Sequence, residues 1–201
     1  MKAVIAIERE YGSGGTEIAR TLSEETGIPC YGHEILEAVS KMYDISVDAI
    51  QKYEETATGS FLYSIYVMAK AARGDADMVT GEGHIYLAEQ KVIRHFAMDG
   101  PAIFLGHCAS EALKEKENVV RVFIRCSDDG QKNRRIETDY GISRADVEST
   151  KKRFDKKRSN YYYANTTLKW ENLRNYDIVL DSAVLGTRGC VDLLKGIVQG
   201  N

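Results

Sequence analysis

The chain of 201 residues contains few of the features that are typical of secreted, zinc-stabilised or membrane-spanning proteins. Its cysteines, Cys30, Cys108, Cys126 and Cys190, are far apart and form no Cys-x-x-Cys pair. This spacing argues against a disulfide framework or a zinc site and favours buried thiols in a reducing compartment. No apolar run approaches the roughly 20 residues that a bilayer requires, and the N-terminus lacks a signal-peptide pattern. We therefore expect a cytoplasmic protein.

The net charge is also small, and prolines are few. The formal net charge of −3 argues against a general binder of nucleic acid or membrane surfaces, although it permits a local basic patch. Only two prolines occur, and no linker, internal repeat or low-complexity stretch interrupts the chain. The hydrophobic content of 43% is ordinary for a globular protein. We expect one domain spanning residues 1–201.

Short apolar runs separated by helical periodicity predict an α/β fold. The strand-like runs are Val4–Ile7, Ala102–Leu105, Val119–Ile124 and Ile178–Leu180. Helical patterns occur at 85–96, where Asp99-Gly100-Pro101 follows as a stop signal, and at 190–198. Such alternation is typical of a parallel sheet covered on both faces, in which ligands bind at the carboxyl ends of the strands.

The segment 8–16, with the sequence EREYGSGGT, follows the first strand and leads into a helical pattern. Glycines allow a backbone with positive φ to approach an anion closely, and the helix N-terminus directs amides and its dipole at that anion. The segment nevertheless departs from the standard P-loop pattern, because Arg9 replaces the first glycine and Gly15 replaces the lysine. Gly14 and Thr16 fit the pattern. The sequence predicts a phosphate cradle without its usual cation.

A second segment, at about 131–165, is polar and basic. It contains Arg134 and Arg135, a run of lysine and arginine at 151–158, and three tyrosines at 161–163. Such a run is either a solvated helix face or a lid that carries guanidinium groups over a polyphosphate. Arginine suits a lid because its planar fork positions phosphoryl oxygens and stays charged. With a glycine loop elsewhere in the chain, we favour the lid. We also expect Asp128-Asp129 to cap the start of a helix.

Five segments in chain order resemble the cytidylate kinase-like proteins, a group within the P-loop nucleoside monophosphate kinases. They are the loop 9–15, the second-strand entry 27–36, the third strand and its turn 100–109, the lid end 155–162 and the last strand 175–181. The resemblance covers nearly the whole chain. It implies a three-layer P-loop NTPase fold with a five-stranded parallel sheet and helices on both faces. It also implies an NMP-binding insert at about 33–75, including a helix or hairpin at 57–75, and an arginine lid at about 131–165.

The same resemblance implies ATP and Mg²⁺ as cofactors and transfer of the ATP γ-phosphoryl group to CMP or dCMP. The implied partners are small-molecule nucleotides, with no nucleic acid and no membrane, and a homodimer is left open. A general base is not needed for this reaction, because the attacking phosphate is already a competent nucleophile.

Three positions depart from the family's pattern. Gly15 stands where ordinary cytidylate kinases carry lysine, and His107 stands where the third-strand turn usually has arginine. Leu105 replaces a carboxylate that would help to hold magnesium. Losing one preorganised charged donor typically costs about 3–4 kcal/mol, or roughly 10²–10³ in rate. Retained activity therefore requires compensation by other cations.

The candidate site residues fall into four groups. The predicted catalytic residues are the arginines available for compensation: Arg9, Arg153 and Arg158. The predicted phosphate-binding residues are those of the loop: Gly12, Ser13, Gly14, Gly15 and Thr16. The predicted metal ligand, through its hydroxyl, is Thr16. The predicted acceptor-binding residues are His107 and, by family resemblance, Gln90.

Each group also has a simpler interpretation. The glycines could form only a tight turn, Arg9 could pair with a carboxylate such as Glu8, and His107 could be purely structural. We expect the tyrosines at 161–163 to pack the lid onto the core more than to stack on a base, and Asp155 to orient the lid arginines.

Three functions are compatible with these residues. The first is an ATP-dependent nucleoside monophosphate kinase of the cytidylate type. The second is a nucleotide sensor that keeps the cradle but has lost phosphoryl transfer, which the missing lysine and carboxylate favour. The third is a kinase for a different small phosphoryl acceptor, because His107 alters the acceptor side.

Overall fold

The computed structural model describes residues 4–56 and 81–200. They form a five-stranded sheet of order β2-β3-β1-β4-β5 in which every pairing is parallel. The strands are β1 (Val4–Arg9), β2 (Cys30–Tyr31), β3 (Ile103–Leu105), β4 (Val119–Arg125) and β5 (Ile178–Asp181). The predicted α/β fold with a parallel sheet is confirmed.

The described helices alternate with the strands as the periodicity predicts. They are α1 (Gly15–Thr26), α2 (His33–Tyr43), α3 (Val47–Thr56), α4 (Gly81–Phe96), α5 (Ala109–Ala112), α6 (Asp129–Tyr140), α7 (Val147–Thr166) and α8 (Ser182–Gln199). A short 3-10 helix, Leu173–Asn175, precedes β5. Among these helices none is long and apolar enough to cross a membrane. The helix or hairpin predicted at 57–75 lies outside the described residues.

The sheet is buried between two helical layers, and β1 shows the reason. Because successive side chains of a strand point to opposite faces, Val4 and Ala6 join a core cluster with α2, α4 and α7, whereas Ile5 and Ile7 join a second cluster with α1 and α8. All four side chains are at most 4% exposed. The uninterrupted apolar run is therefore what a central strand covered on both faces requires.

The strand order creates a crevice between β1 and β3. From β1 the chain continues to β2 on one side of the sheet, whereas from β3 it continues to β4 on the other side. These two neighbouring strands end together, with Ile7 paired to Leu105. Ligands of open α/β sheets bind at such a switch point, outside the carboxyl ends of the strands. The residues that follow β1 and β3 therefore define the place to look for a site.

The basic segment at 131–165 folds as parts of two helices, α6 and α7, joined at 141–146. Asp128 caps α6 as predicted, because its carboxylate accepts a hydrogen bond of 3.0 Å from the amide of Gln131. Tyr161 and Tyr162, near the end of α7, are 6% and 3% exposed within the core cluster. The prediction that these two tyrosines pack α7 onto the body of the protein is confirmed.

Candidate functional site

A cavity of about 340 Å³ lies at the β1–β3 switch point. Four parts of the chain line it: the end of β1, the turn after β3, helix α7 and Gln51 of α3. Three of the lining residues were predicted from the sequence: Arg9, His107 and Arg158. The fold thus brings together an arginine of β1, an arginine of α7 and the histidine that follows β3, which are up to 149 residues apart in the chain.

The glycine loop lies between β1 and α1, beside this cavity. Gly12 and Gly14 have φ angles of 75° and 79°, and Gly14 forms the N-cap of α1. A Cβ on Gly12 would approach side-chain atoms of Ile136 and Lys132 to 2.8 Å, so the loop also packs tightly against α6. The first amides of a helix have no partner within the helix. The start of α1 is therefore shaped to hold an anion.

Arg9 explains why residue 15 is a glycine. A Cβ on Gly15 would lie 2.6 Å from Cβ and 2.9 Å from Cγ of Arg9. The guanidinium extends to the β3 side, where a Cβ on Gly106 would lie 2.5 Å from Arg9 Nη1. The stem of Arg9 therefore occupies the space that a lysine stem at position 15 would need.

Helix α7 is attached to the loop by polar contacts. The Asp155 carboxylate accepts a hydrogen bond of 2.7 Å from the Tyr11 amide, and Arg158 Nη1 donates one of 3.0 Å to the Arg9 carbonyl. Asp155 and Arg158 also form an ion pair of 3.6 Å, as expected for a residue that orients an arginine. Burial raises the pKa of Asp155, and the Tyr11 amide opposes that shift. These contacts fix the position of the Arg158 guanidinium beside the cavity.

Aromatic stacking strengthens the same attachment. The ring of Tyr11 lies 4.6 Å from that of Phe154 and 4.9 Å from that of Tyr140, stacked between α7 and α6. The Arg158 guanidinium lies 5.5 Å from the Tyr11 centroid. Such aromatic pairs contribute roughly 0.5–1.5 kcal/mol each beyond the area that they bury. The glycine loop is therefore packed firmly against α6 and α7.

Helix α6 supports the loop from the other side. Glu10 Oε2 accepts hydrogen bonds from Lys132 Nζ at 2.9 Å and from the Cys126 amide at 3.0 Å. Arg135 Nη1 contacts the Gly12 carbonyl at 3.4 Å. These contacts use positive charges of the basic segment to fix loop geometry, so part of that segment is neither a solvated face nor directed into the cavity.

The turn after β3 has a strained backbone. Gly106, His107 and Cys108 have consecutive φ angles of 82°, 57° and 51°. Left-handed conformations are rare for residues with a Cβ, and such strain concentrates at functional sites. His107 Nδ1 lies 3.9 Å from the Glu89 carboxylate, which is fully buried and also accepts a hydrogen bond from the Tyr161 hydroxyl. This turn places the imidazole at the cavity wall.

Glu8 lines the cavity next to Arg9, although it is only 6% exposed. Its Oε2 accepts a hydrogen bond of 3.1 Å from Trp170 Nε1. Burial raises the pKa of Glu8, and this effect outweighs the opposing influence of Arg9, the Trp170 hydrogen bond, Arg158 and His107. A carboxylate is thus held near positive side chains in the cavity wall.

Other predicted site residues lie apart from the cavity wall. Arg153 is exposed, and its guanidinium lies 5.2 Å from the Phe154 centroid on α7. Gln90 is 3% exposed on α4, and its Nε2 has no hydrogen-bond partner among the described residues. Neither residue belongs to the cavity lining. Thr16 is partly exposed in the first turn of α1, next to the loop.

The glycine cradle and Thr16 fit a nucleotide phosphate with Mg²⁺. Gly12, Gly14 and Gly15 each stand where a Cβ would meet another side chain at 3.0 Å or less, so the loop can adopt this packed conformation only with glycine at these positions. No cluster of three histidine, cysteine or acidic side chains suited to a metal occurs among the described residues. Mg²⁺ needs no such cluster, because it binds through one or two protein oxygens together with phosphates and water.

Several residues of the site were not predicted from the sequence. Glu8, Gln51 and Lys157 line the cavity, and Lys132 and Arg135 brace the loop. Glu8 adjoins Arg9 at a strand end, a position that could have marked it. The others lie on helices whose spatial relation to the loop is set by tertiary packing.

Comparison with known proteins decides the family. The model of the cytidylate kinase-like family matches residues 4–184. The chain belongs to this family. A solved structure of an uncharacterized protein from Eubacterium ventriosum ATCC 27560 is 23% identical, with 100% of both chains covered and a TM-score of 0.71. Shikimate kinase from Bacteroides thetaiotaomicron is 11% identical, with 99% of both chains covered and a TM-score of 0.55. Comparison with curated proteins gave no match.

These likenesses establish the kinase P-loop fold of this cytidylate kinase-like protein. Membership of the family and the shared fold support a nucleotide or small-molecule kinase. The donor, the acceptor and the cofactors are matters for the proposals below.

Proposed function

We propose that this protein is an ATP-dependent phosphotransferase with its acceptor site in the β1–β3 cavity. The observation that carries the proposal is the convergence of Arg9, Arg158 and Lys157 on a cavity beside the glycine loop. Phosphoryl transfer needs mainly positioning and neutralisation of negative charge. A glycine cradle for donor phosphates next to a cationic cavity supplies both.

In the proposed reaction the loop amides and the start of α1 hold the donor phosphates. Arg9 replaces the usual loop lysine, because its stem crosses Gly15 and its guanidinium reaches the cavity. Arg158, fixed by the Arg9 carbonyl and Asp155, neutralises charge from the lid side. Thr16 would hold Mg²⁺ through its hydroxyl, and the ion would neutralise charge on the donor phosphates.

Two acceptors follow from different observations. Transfer to CMP or dCMP is the first candidate, because the family description names cytidylate. A different small phosphoryl acceptor is the second candidate, because the cavity wall contains the carboxylate of Glu8 and the imidazole of His107. A nucleotide sensor without turnover is the remaining outcome that the experiment distinguishes.

The test incubates purified protein with Mg-ATP and each nucleoside monophosphate, and follows ADP and diphosphate formation by chromatography. We expect Arg158→Ala to lower kcat/KM by roughly 10²–10³, whereas exposed Arg174→Ala serves as a matched control and leaves it unchanged. Thermal unfolding of each variant, with and without ATP, separates lost catalysis from lost structure. ATP protection without turnover of any acceptor would make the protein a sensor, and neither protection nor turnover would refute the proposal.

A further inference from the structure

The negative charge of Glu8 would oppose binding in a cavity that serves only to hold a phosphate. Among the described residues that line the cavity it is the one with a carboxylate, whereas Arg9, Lys157 and Arg158 are cations. A carboxylate repels a phosphate acceptor, and its burial without a matched ion pair is costly. An acceptor that brings a hydrogen to this carboxylate removes the conflict.

The carboxylate is held in one orientation. Trp170 Nε1 donates to Oε2 at 3.1 Å, and the indole is itself 2% exposed and packed edge-on against Phe123 at 5.2 Å. Tyr176 fixes the backbone of Trp170, because its hydroxyl donates to the Trp170 carbonyl at 2.8 Å. Glu8 is therefore preorganised by a neutral donor.

Glu8 lines the cavity in which the acceptor is proposed to bind, together with Arg9 and Arg158. Its side chain lies on the face of the sheet opposite to that of Arg9, whose stem covers the first residue of α1. Chemistry distinguishes two acceptor classes at this point. A phosphate oxygen attacks without losing a proton, whereas a hydroxyl is activated by a carboxylate that takes its proton, as the aspartate of protein kinases does.

We propose that Glu8 is the general base of the reaction and that the acceptor is an alcohol carrying its own anionic group. The inference rests on the proposed phosphotransferase function and names its acceptor class. The alcohol oxygen forms a bond to the γ-phosphorus of ATP while its proton passes to Glu8. The bond from that phosphorus to the β–γ bridging oxygen breaks, and ADP leaves with the electron pair. Glu8 then returns the proton to solvent, while Lys157 and Arg158 hold the anionic group.

The environment of Glu8 suits a base. Burial moves its pKa upward, towards the pH at which a base is most effective. Three cationic or titratable groups act on the Glu8 carboxyl: Arg9 on β1, His107 after β3 and Arg158 on α7. The phenols of Tyr162 and Tyr176 also interact with it. The cations oppose the upward shift that burial causes, but burial has the larger effect.

The test compares wild type with Glu8→Gln, whose amide oxygen can still accept from Trp170. Exposed Glu24→Gln on α1 is the matched control. With radiolabelled Mg-ATP, we would measure transfer to water, to glycerate and glycerol 3-phosphate as anionic alcohols, and to CMP and dCMP. We expect Glu8→Gln to slow hydrolysis and alcohol phosphorylation by about 10²-fold or more. It should also remove the acidic limb of the pH–rate profile, while ATP still raises the unfolding temperature.

Each contrary result has a distinct meaning. Equal rates and equal pH profiles in wild type and Glu8→Gln would overturn the role of Glu8. Phosphorylation of CMP that Glu8→Gln leaves intact would support the phosphotransferase and refute the alcohol acceptor. Absence of both hydrolysis and transfer in wild type would count against this inference, and absence of ATP protection as well would also remove the proposed function.

Discussion

Replacing Gly15 with alanine tests whether the Arg9 stem occupies the space above the start of α1. The new Cβ would lie 2.6 Å from Arg9 Cβ and 2.9 Å from its Cγ, closer than real carbon atoms approach. Overpacking of this kind typically costs about 1–3 kcal/mol. Alanine in place of a helical glycine otherwise stabilises by up to about 1 kcal/mol. We therefore expect Gly15→Ala to lower the free energy of unfolding by roughly 1–2 kcal/mol.

The residue at position 9 decides whether Gly15→Ala destabilises or stabilises the protein. Arg9→Ala keeps the Cβ that makes the 2.6 Å contact, so Gly15→Ala should remain destabilising there. Arg9→Gly removes that atom, and Gly15→Ala should then be neutral or stabilising. The double-mutant cycle should give a coupling of about 1–3 kcal/mol in the Arg9→Gly background and little relief in the Arg9→Ala background.

Urea denaturation followed by far-UV circular dichroism would measure these free energies. Gly196→Ala in α8 is the control, because a Cβ there meets nothing within 4 Å, and it should stabilise by about 0.5–1 kcal/mol. A Gly15→Ala effect that is the same in all three backgrounds would show that Arg9 does not explain the missing lysine.

Three further predictions concern the attachments of the site. Asp155→Ala should lower the free energy of unfolding by about 1–3 kcal/mol because the Tyr11 amide loses its acceptor, and Asp155→Asn should recover most of it. Tyr176→Phe should cost about 1–2 kcal/mol by leaving the buried Trp170 carbonyl without its donor, measured by the same denaturation. Glu8→Gln should stabilise the protein above the raised pKa of Glu8, because burial disfavours the charged carboxylate. That gain should fade as the pH falls through the raised pKa, and it should vanish below the ordinary value of 4.5, where the carboxyl is protonated in both folded and unfolded chains. A gain that grew towards acid pH would contradict the last prediction.

The central sheet and the glycine loop could be predicted because their signals are local. An apolar run such as Val4–Ile7 predicts a buried strand from its own residues, and glycine at positions 12 and 14 predicts a backbone with positive φ. The family could be predicted for a related reason: five short segments in a fixed order each have a recognisable pattern.

The different roles of the positive residues could not be predicted from local patterns. Arg153 and Arg158 belong to the same basic run, yet Arg158 binds the Arg9 carbonyl beside the cavity and Arg153 is exposed. Arg135, from an earlier part of the basic segment, contacts the Gly12 carbonyl instead. Which face of a polar helix meets the loop depends on how the helix packs, and a run with charge on all sides does not indicate it.

By itself, the sequence determined the parallel sheet, the glycine loop and the family, because each depends on neighbouring residues in the chain. Only the tertiary structure decided that Arg9 fills the space above Gly15 and that Glu8 shares a cavity with Arg158. Arg9 and Gly15 are near neighbours in the chain, whereas Arg9 and Arg158, which also contact each other, are 149 residues apart. Their distances follow from strand order and helix packing, which no local pattern encodes.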